Sequence, residues 1–317
     1  MGLSTRPHPV LSKEFKHLTI GIPDLFPHVT IVSLNRPQKL NAMHGKLWRE
    51  IGLIFSKLGT MGDDCRCILL TGTGRGFSAG IDIQDLAFDF SSGSIDSGEK
   101  GGHVSVDDPA RQGLAMISKI QQMQDCFTQL EKCPVPVVVA LHGLCIGAGI
   151  DLACCADIRL SAPNTIFSVR EAKMGLAADI GTLQRLPKIT GNASWVNDVC
   201  LTGRNFNAQE ALAMGFISQI IAPATTTTDS TTHFEYETFL QDCIQLCQSI
   251  AANSPVAVLG TKKALLYARD HSVQDGLKQI IAYNALALQS KDLQQSIRAA
   301  KEKRQASFPA LWAHSKL

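Results

Sequence analysis

The sequence has little net charge, no C-x-x-C spacing among its cysteines and no N-terminal stretch that resembles a secretory signal. A formal charge of +2 on 317 residues does not favour binding to nucleic acid or to a membrane surface. The ten cysteines are therefore expected to be reduced thiols in an intracellular compartment, and they predict no metal site. Apolar residues are abundant, at 45%, which is enough to bury a large core in one or two domains.

The longest apolar stretch, residues 135–156, is nearly long enough to cross a lipid bilayer. It contains Pro136, His142, Asp151 and three glycines, which would break a lipid-exposed helix or place a charge in it. We therefore expect no membrane span. The stretch instead predicts a buried β-branched strand, residues 135–141, followed by a glycine turn and the start of a helix.

Apolar periodicity along the rest of the chain predicts an α/β protein. Short β-branched runs predict strands, and apolar residues that recur with the period of a helix predict helices. The predicted strands are residues 29–34, 67–71, 135–141, 157–161, 165–169 and 218–221, and the predicted helices are residues 47–58, 110–132, 193–201 and 208–214. Strands that alternate with helices in this way indicate βαβ units.

Two stretches of low apolar content predict loops and divide the chain. The first, residues 90–105, is rich in Ser and Gly, and the second, residues 222–232, is dominated by Thr. Helical periods follow the second loop, at residues 239–252, 256–268, 273–288 and 293–304. Their broad apolar faces must be buried somewhere. The expected organisation is an N-terminal extension at residues 1–28, a core at 29–221, a linker at 222–232 and a C-terminal helical region at 233–317.

A glycine-rich segment, residues 72–82, follows the second predicted strand and is open to three interpretations. Residues 74–79 fit G-x-G-x-x-A, a dinucleotide-binding pattern, but no helix clearly opens there and the required acidic residue would fall in the Ser/Gly loop. Residues 76–80 fit G-x-S-x-G, in which Ser78 would be the nucleophile of a serine hydrolase, although further residues separate it from the strand. The third interpretation is an oxyanion-hole segment, which rests on a family resemblance.

Three carboxylates stand in apolar surroundings. Asp151 lies just inside the helix that follows the glycine turn, and Glu171 and Asp179 interrupt the next apolar passage. Lone buried carboxylates are costly, so their pKa values are expected to rise, which suits proton transfer. The alternative is structural, with Asp151 capping its helix and Asp179 capping the next one. His142 is interpreted as structural and Arg185 as an ion-pair partner.

The motifs around these carboxylates resemble those of the crotonase (enoyl-CoA hydratase/isomerase) superfamily. The resemblance is carried by residues 145–152, CIGAGIDL, and by residues 171–187, EAKMGLAADIGTLQRLP. It is closest to the Δ3,5-Δ2,4-dienoyl-CoA isomerases, because a hydratase of the family has Glu at the position of Asp151 and usually Gly at the position of Asp179. The resemblance implies a spiral of ββα units with a C-terminal helical trimerisation region.

In this superfamily two backbone N–H groups form an oxyanion hole, and the resemblance places them at Ile81 and Ala148. It implies isomerisation of a 3,5-dienoyl-CoA to a 2,4-dienoyl-CoA during the shortening of unsaturated fatty acids. Glu171 would take a proton at C2 and Asp179 would deliver one at C6. Asp151 would tune the pair or hold a polar network. The residues implied to line the acyl-CoA site are Arg36, Lys39, Ala42, Ser78, Ala79, Gly80, Asp82 and Gly147. For the two basic residues, a solvated turn is the alternative.

The same resemblance leaves related chemistry open and implies partners. Enoyl-CoA hydration and Δ3-Δ2-enoyl-CoA isomerisation are the alternative activities, and Asp179 is the residue that disfavours hydration. No cofactor is expected, because coenzyme A is part of the substrate, and neither a metal nor nucleic acid is expected. A homo-hexamer built as a dimer of trimers is implied. The final residues, Ser315-Lys316-Leu317, match a signal for the peroxisomal import receptor, which predicts a peroxisome or a related organelle rather than a mitochondrion.

Overall fold

The computed structural model describes residues 3–60, 64–84, 108–222 and 235–312. The strands are β1 (Thr5–Pro7), β2 (Leu18–Pro23), β3 (Val29–Leu34), β4 (Cys67–Gly72), β5 (Val137–Leu141), β6 (Leu144–Ile146), β7 (Ile158–Ser161), β8 (Ile166–Ser168), β9 (Phe206–Asn207) and β10 (Gln219–Ile220). The helices are α1 (Gly45–Lys57), α2 (Pro109–Lys132), α3 (Ala148–Cys154), α4 (Thr182–Thr190), α5 (Ala193–Thr202), α6 (Ala208–Ala213), α7 (Tyr236–Ala251), α8 (Pro255–Tyr267), α9 (Val273–Ala287) and α10 (Lys291–Lys301). The predicted loop at residues 90–105 lies outside the described residues, as does all but the first residue of the loop at 222–232.

A seven-stranded sheet in the order β1-β2-β3-β4-β5-β7-β10 forms the centre of the described fold. From β3 to β10 neighbouring strands run parallel. β3, β4 and β5 are buried along their whole length, as expected where both faces of a parallel sheet are covered. β2 adds antiparallel to β3, and β1 adds antiparallel to β2. The sequence did not predict these two N-terminal strands, so the segment proposed as an extension shares a sheet with the core, and the boundary at residue 28 stays a prediction.

The chain turns twice between β5 and α3. Gly143 (φ +58°) and Gly147 (φ +51°) both adopt the left-handed backbone region that glycine favours. Between them lies β6, which pairs parallel with β8 in a small sheet that antiparallel β9 completes. The predicted single glycine turn is therefore two turns with a strand between them. The second turn leads directly into α3, where the helix was predicted to start.

Helices cover both faces of the large sheet. α1, α2 and α3 contribute to one core, and α7 packs Phe239, Leu240 and Ile244 against the opposite face. The remaining C-terminal helices follow α7, so the α/β architecture with a helical C-terminal region is confirmed. Among the described helices, none combines the length and the apolar character that crossing a bilayer requires.

Candidate active site

The segment after β4 and the segment between β6 and α3 meet at the candidate site. Ile146 N–H donates to Ser78 O (3.0 Å) in a short parallel pairing. Gly80 has φ +95°, and a Cβ atom at this position would lie 2.9 Å from Ile146 O and 3.6 Å from Ala148 N. The two segments therefore pack backbone against backbone, which requires glycine at this point.

The backbone N–H groups of Ile81 and Ala148 lie at this junction. Ala148 is the first residue of α3, so its N–H has no acceptor within the helix. Met43 pairs with Ile81 through the residues on either side of it: Met43 N–H donates to Gly80 O (2.8 Å), and Asp82 N–H donates to Met43 O (2.9 Å). In such a pairing the N–H of the central residue points away from the partner strand. The N–H of Ile81 is therefore directed away from Met43.

Asp151 lies in α3, is 2% exposed and accepts two hydrogen bonds from one residue. Its Oδ1 accepts the N–H and the hydroxyl of Thr182, both at 2.7 Å. Burial raises the pKa of Asp151 to about 7, the hydrogen bonds from Thr182 act in the opposite direction, and the charges of Glu171 and Asp179 raise the pKa further. The three predicted carboxylates therefore share one electrostatic environment.

Glu171 begins a short 3-10 turn after β8 and lies beside the second glycine turn. A Cβ atom placed on Gly147 would lie 3.1 Å from Glu171 Oε1 and 4.0 Å from Gly80 Cα. In the described part of the chain, Oε2 of Glu171 is buried and has no hydrogen-bond partner. Burial raises the pKa of Glu171, and the charge of Asp179 adds to this effect. A buried carboxylate oxygen without a partner at this junction is available to a substrate proton.

Asp179 is half-buried in the segment that leads into α4. Its main-chain oxygen accepts a hydrogen bond from Gln124 Nε2 of α2 (2.6 Å), and burial raises the pKa of its carboxyl group. The N-cap residue of α4 is Gly181, and the side chain of Asp179 makes no described hydrogen bond to the first turn of this helix. The capping prediction for Asp179 is therefore wrong. Asp151 is an interior residue of its own helix and instead holds the N–H of Thr182, the first residue of α4.

Ser78 is fully buried and its hydroxyl is used within the loop. It donates to Asn41 O (3.0 Å) and accepts the N–H of Gly80 (3.1 Å), while the neighbouring Ala79 is half-buried. No helix begins within residues 74–79. The serine hydrolase and dinucleotide-binding interpretations are therefore wrong, because the hydroxyl is inaccessible and the glycines do not lead into a helix.

The two basic residues predicted to line the acyl-CoA site, Arg36 and Lys39, differ in their burial and in their partners. Arg36 is half-buried, its Nη2 lies 3.1 Å from Asp82 Oδ2, and its other terminal nitrogen donates to Ala42 O. Lys39 is exposed, and its Nζ lies 3.4 Å from Gln84 Oε1. Of the two, Lys39 is the more exposed side chain, and its one described contact is long.

His142 and Arg185 make the structural contacts that the sequence predicted for them. The imidazole of His142 is buried, its Nε2 lies 3.1 Å from Gly74 O, and its ring packs against Tyr236 with centroids 4.8 Å apart. Burial lowers the pKa of His142 to about 4, so the ring is neutral at physiological pH. Arg185 Nη2 lies 2.9 Å from Glu131 Oε2 and forms an ion pair with it.

The sequence did not single out Thr182, Gln124 or Cys200, which the fold brings near the carboxylates. Burial and the charges of Glu171 and Asp151 raise the pKa of the Cys200 thiol to about 11, so it is protonated at neutral pH. Thr182 and Asp151, whose carboxylate it binds, are 31 residues apart in the sequence, so no local sequence pattern relates them. Within the described ranges, no group of three or more His, Cys, Asp or Glu side chains is placed to hold a metal ion.

Comparison with known proteins identifies the family. The enoyl-CoA hydratase/isomerase family model matches residues 27–97 and 116–310. The human mitochondrial Delta(3,5)-Delta(2,4)-dienoyl-CoA isomerase is 41% identical over 278 residues, which cover 88% of this chain and 77% of that protein. The peroxisomal enzyme of that name from Arabidopsis thaliana is 34% identical over 88% of this chain and 91% of its own length. A crystal structure of enoyl-CoA hydratase from Bacillus anthracis, 23% identical, has the same fold with a TM-score of 0.75 over 92% of this chain and 99% of that one. The chain therefore belongs to the enoyl-CoA hydratase/isomerase family.

Proposed function

We propose that this protein isomerises a 3,5-dienoyl-CoA to the corresponding 2,4-dienoyl-CoA by moving a proton between two carboxylates. The observation that carries the proposal is the carboxylate of Glu171. It lies beside the turn that presents Ala148 N–H, its Oε2 has no described partner, and the charge of Asp179 acts on it. Relatives named dienoyl-CoA isomerases, at 34% and 41% identity, support this choice of substrate. The acyl-CoA would be an intermediate in the oxidation of unsaturated fatty acids.

The proposed reaction begins at C2, whose hydrogen the neighbouring thioester acidifies. Ionised Glu171 takes this proton and leaves a conjugated enolate, whose oxygen accepts hydrogen bonds from Ile81 and Ala148. One such donor contributes about 3 kcal/mol to the stability of the transition state. The negative charge is delocalised as far as C6, where protonated Asp179 delivers its proton, and the double bonds move to C2 and C4. Loss of the proton from Glu171 and reprotonation of Asp179, by exchange with solvent, then restore the starting state. Two carboxylates are needed because C2 and C6 are several bonds apart.

Asp151 has a third role in this proposal. Both described hydrogen bonds of its carboxylate come from Thr182 and fall on Oδ1. No described hydrogen bond reaches Oε2 of Glu171. The charges of Glu171 and Asp179 raise the pKa of Asp151, so the protonation of Asp151 is coupled to that of the other two carboxylates. Asp151 therefore sets the protonation of the pair that exchanges protons with the substrate.

The reaction is tested with purified protein and two substrates. A 3,5-dienoyl-CoA is expected to give rising near-ultraviolet absorbance as the conjugated 2,4-dienoyl thioester forms. A 2-enoyl-CoA is expected to lose little absorbance, because hydration is not the favoured reaction. A silent first assay with rapid hydration in the second would show that the protein is a hydratase and would overturn the proposal. Conversion of a 3-enoyl-CoA to the 2-enoyl-CoA alone would favour Δ3-Δ2 isomerisation.

Asp179→Asn is expected to lower kcat for diene isomerisation at least about 100-fold, because a general acid contributes that much and an amide cannot deliver the proton. The thermal unfolding midpoint is expected to remain near that of the native protein, since the carboxyl group caps no helix. Asp242→Asn, an exposed position of α7, is the matched control and is expected to keep full activity. Near-full activity in the Asp179 variant would remove that residue from the mechanism.

We also propose an assembly, in which each core is a spiral of ββα units and the C-terminal helices pair with other copies of the chain. An apolar stripe on α9, formed by Val273, Leu277 and Ile281, is more than half exposed. A groove of about 540 Å³ lies beside it between α8 and α9, lined mostly by apolar side chains. Exposed apolar surface of this extent marks a contact surface. The proposed occupant is a second copy, as part of a trimer that pairs into a hexamer.

The proposed location is a peroxisome or a related organelle. The C-terminal Ser315-Lys316-Leu317 lies outside the described residues, and the relatives carry both mitochondrial and peroxisomal names. A fluorescent protein fused ahead of the full chain is expected to co-localise with a peroxisomal marker, because the import receptor reads a free C-terminal S-K-L. Removal of the last three residues should leave the fusion in the cytosol. Mitochondrial fluorescence from the intact fusion would overturn this location.

A further inference from the structure

The residues on either side of Ile81 are held by a set of buried and half-buried polar side chains. Asp82 Oδ2 receives a hydrogen bond from Arg36 Nη2 at 3.1 Å, and the two side chains are 12% and 16% exposed. On the other side, the N–H of Gly80 donates to the hydroxyl of Ser78 at 3.1 Å. We name the four side chains Arg36, Asn41, Ser78 and Asp82 the Ile81 brace.

Asn41 links the two halves of the Ile81 brace. It is fully buried and has φ +54°, a left-handed backbone conformation that Asn tolerates better than most residues. Its Nδ2 donates to Thr73 O and to Gly76 O, both at 2.9 Å, and its Oδ1 accepts the N–H of Arg36 at 2.8 Å. Its main-chain oxygen accepts the hydroxyl of Ser78 at 3.0 Å. The amide therefore fastens the turn that carries Arg36 to the loop that follows β4.

The terminal nitrogens of Arg36, the amide of Asn41, the hydroxyl of Ser78 and the carboxylate of Asp82 all have protein partners. The guanidinium of Arg36 binds Asp82 and Ala42 O, and the hydroxyl of Ser78 both donates and accepts within the loop. A buried polar group that already has a hydrogen-bond partner gains little free energy by exchanging that partner for a ligand. The family resemblance implied that Arg36, Ser78 and Asp82 contact the substrate. Their hydrogen bonds instead hold the segment that carries the N–H of Ile81 and the turn beside it.

We propose that the Ile81 brace positions the N–H of Ile81 for the thioester oxygen, so that Arg36, Asn41, Ser78 and Asp82 act on the reaction without touching the substrate. This inference rests on the proposed enolate chemistry. An oxyanion donor is effective only when it is fixed at about 2.7–3.1 Å from the position of the developing charge. A misplacement of about 1 Å costs about 100-fold in rate. The backbone pairing with Met43 holds the segment as a whole, and the brace adds side-chain hydrogen bonds to the residues on either side of Ile81.

The test uses Ser78→Ala and a direct readout of the oxyanion hole. The protein is mixed with 2,4-dienoyl-CoA that carries ¹³C at the thioester carbonyl, and the carbonyl stretch is followed by difference infrared spectroscopy. Binding to the native protein is expected to lower the stretching frequency, because two N–H donors polarise the carbonyl group. Ser78→Ala is expected to show a clearly smaller shift and a kcat lowered about 10- to 100-fold, with KM little changed. Asp82→Ala, which removes the brace from the other side, is expected to have the same effect.

Ser161→Ala is the matched control. Ser161 is also a fully buried serine, but it lies in β7 and donates to Thr165 Oγ1 at 2.8 Å, outside the Ile81 brace. This variant is expected to keep the native carbonyl shift and the native kcat. It therefore separates a loss of the oxyanion hole from the general cost of removing a buried hydroxyl.

The outcomes distinguish the inference from the proposed function. A native carbonyl shift and native kcat in both Ser78→Ala and Asp82→Ala would overturn the role of the Ile81 brace. A raised KM with unchanged kcat and unchanged shift would also overturn it, because that pattern marks a substrate contact. If the native protein polarises the bound thioester but does not isomerise a diene, the proposed function fails. The carbonyl shift alone then decides the role of the brace.

Discussion

A single buried carboxylate, Asp151, contributes to the pH dependence of the stability of this protein. The pKa of this group is raised from 3.8 to about 7, so the folded protein keeps the proton over a range in which the unfolded chain has lost it. The contribution of Asp151 to stability therefore falls as pH rises from about 4 to about 7, and changes little on either side of that window. A shift of about three pKa units corresponds to a cost on the order of 4 kcal/mol at the upper end. The protein therefore retains a carboxylate that lowers its stability at neutral pH. Shifted pKa values of this kind are typical of groups that take part in proton transfer.

Asp151→Asn is expected to raise the free energy of unfolding by about 2–4 kcal/mol at pH 8 and by clearly less at pH 5. The amide oxygen of Asn can accept both hydrogen bonds from Thr182, so the change removes the charge and keeps the contacts. The measurement is urea denaturation at the two pH values. Asp179→Asn is the control, because this carboxylate is only half-buried, and its increase in the free energy of unfolding should be smaller. An equal gain at both pH values for Asp151→Asn would contradict the assigned titration.

The candidate site could be predicted in part from single residues. The sequence placed Asp151, Glu171 and Asp179 in apolar surroundings, and the structure gives all three raised pKa values. It could not supply their partners, because the hydroxyl of Thr182 and the amide of Gln124 reach the site from other parts of the chain. Partners of this kind are set by how the elements pack, and a local pattern carries no information about them.

At the scale of elements, the sequence predicted the parts with strong local signals. The buried strands β3, β4 and β5 and the helices α1 and α2 lie within about two residues of their predicted bounds, since apolar runs and helical periods are local properties. β6 and β9 have only two or three residues each and depend on pairing with β8. β1 and β2 include Pro and Gly and are polar on one side, so they become strands by adding to the edge of a sheet that already exists.

Helix α8 depends on one buried charge for its attachment to the core. Lys262 is 6% exposed, and its Nζ lies 2.7 Å from Asp157 Oδ2 and 3.1 Å from Val135 O. Asp157 Oδ2 also accepts the N–H of Val137, so the ion pair links α8 to the start of β5. Removing one partner of a buried pair leaves the other charge uncompensated, which costs more than the pair itself contributes.

Lys262→Met is expected to lower the free energy of unfolding by about 3 kcal/mol, measured by chemical denaturation. Lys263→Met is the matched control, because Lys263 is the exposed neighbour on the same helix, and it should change stability by less than about 0.5 kcal/mol. The double variant Lys262→Met/Asp157→Asn is expected to recover part of the loss, since no charge is then left without its partner. Equal losses for Lys262→Met and Lys263→Met would show that the ion pair does not attach α8.

At the scale of the whole molecule, the described chain leaves apolar surface uncovered where its C-terminal helices end. In α9 every residue is exposed or half-buried, and its apolar stripe consists of residues four positions apart, which share one face of a helix. Such a helix gains little stability from its own subunit, because most helical stability in proteins comes from packing of an apolar face. The stripe is therefore best explained by contact with another copy of the chain.

Leu277→Lys is expected to reduce the mass of the particle in solution from that of a trimer or hexamer to that of smaller species, measured by light scattering after size-exclusion chromatography. The reason is that a charge buried in an apolar contact has no partner to compensate its lost hydration. Ile281→Lys, on the same stripe, should act in the same way, and circular dichroism should show that both variants keep their helices. Leu25→Lys is the matched control, because this leucine is 82% exposed but lies in the turn between β2 and β3. A native particle mass for Leu277→Lys and Ile281→Lys would mean that α9 faces solvent in the assembly, and a monomeric native protein would remove the proposed trimer altogether.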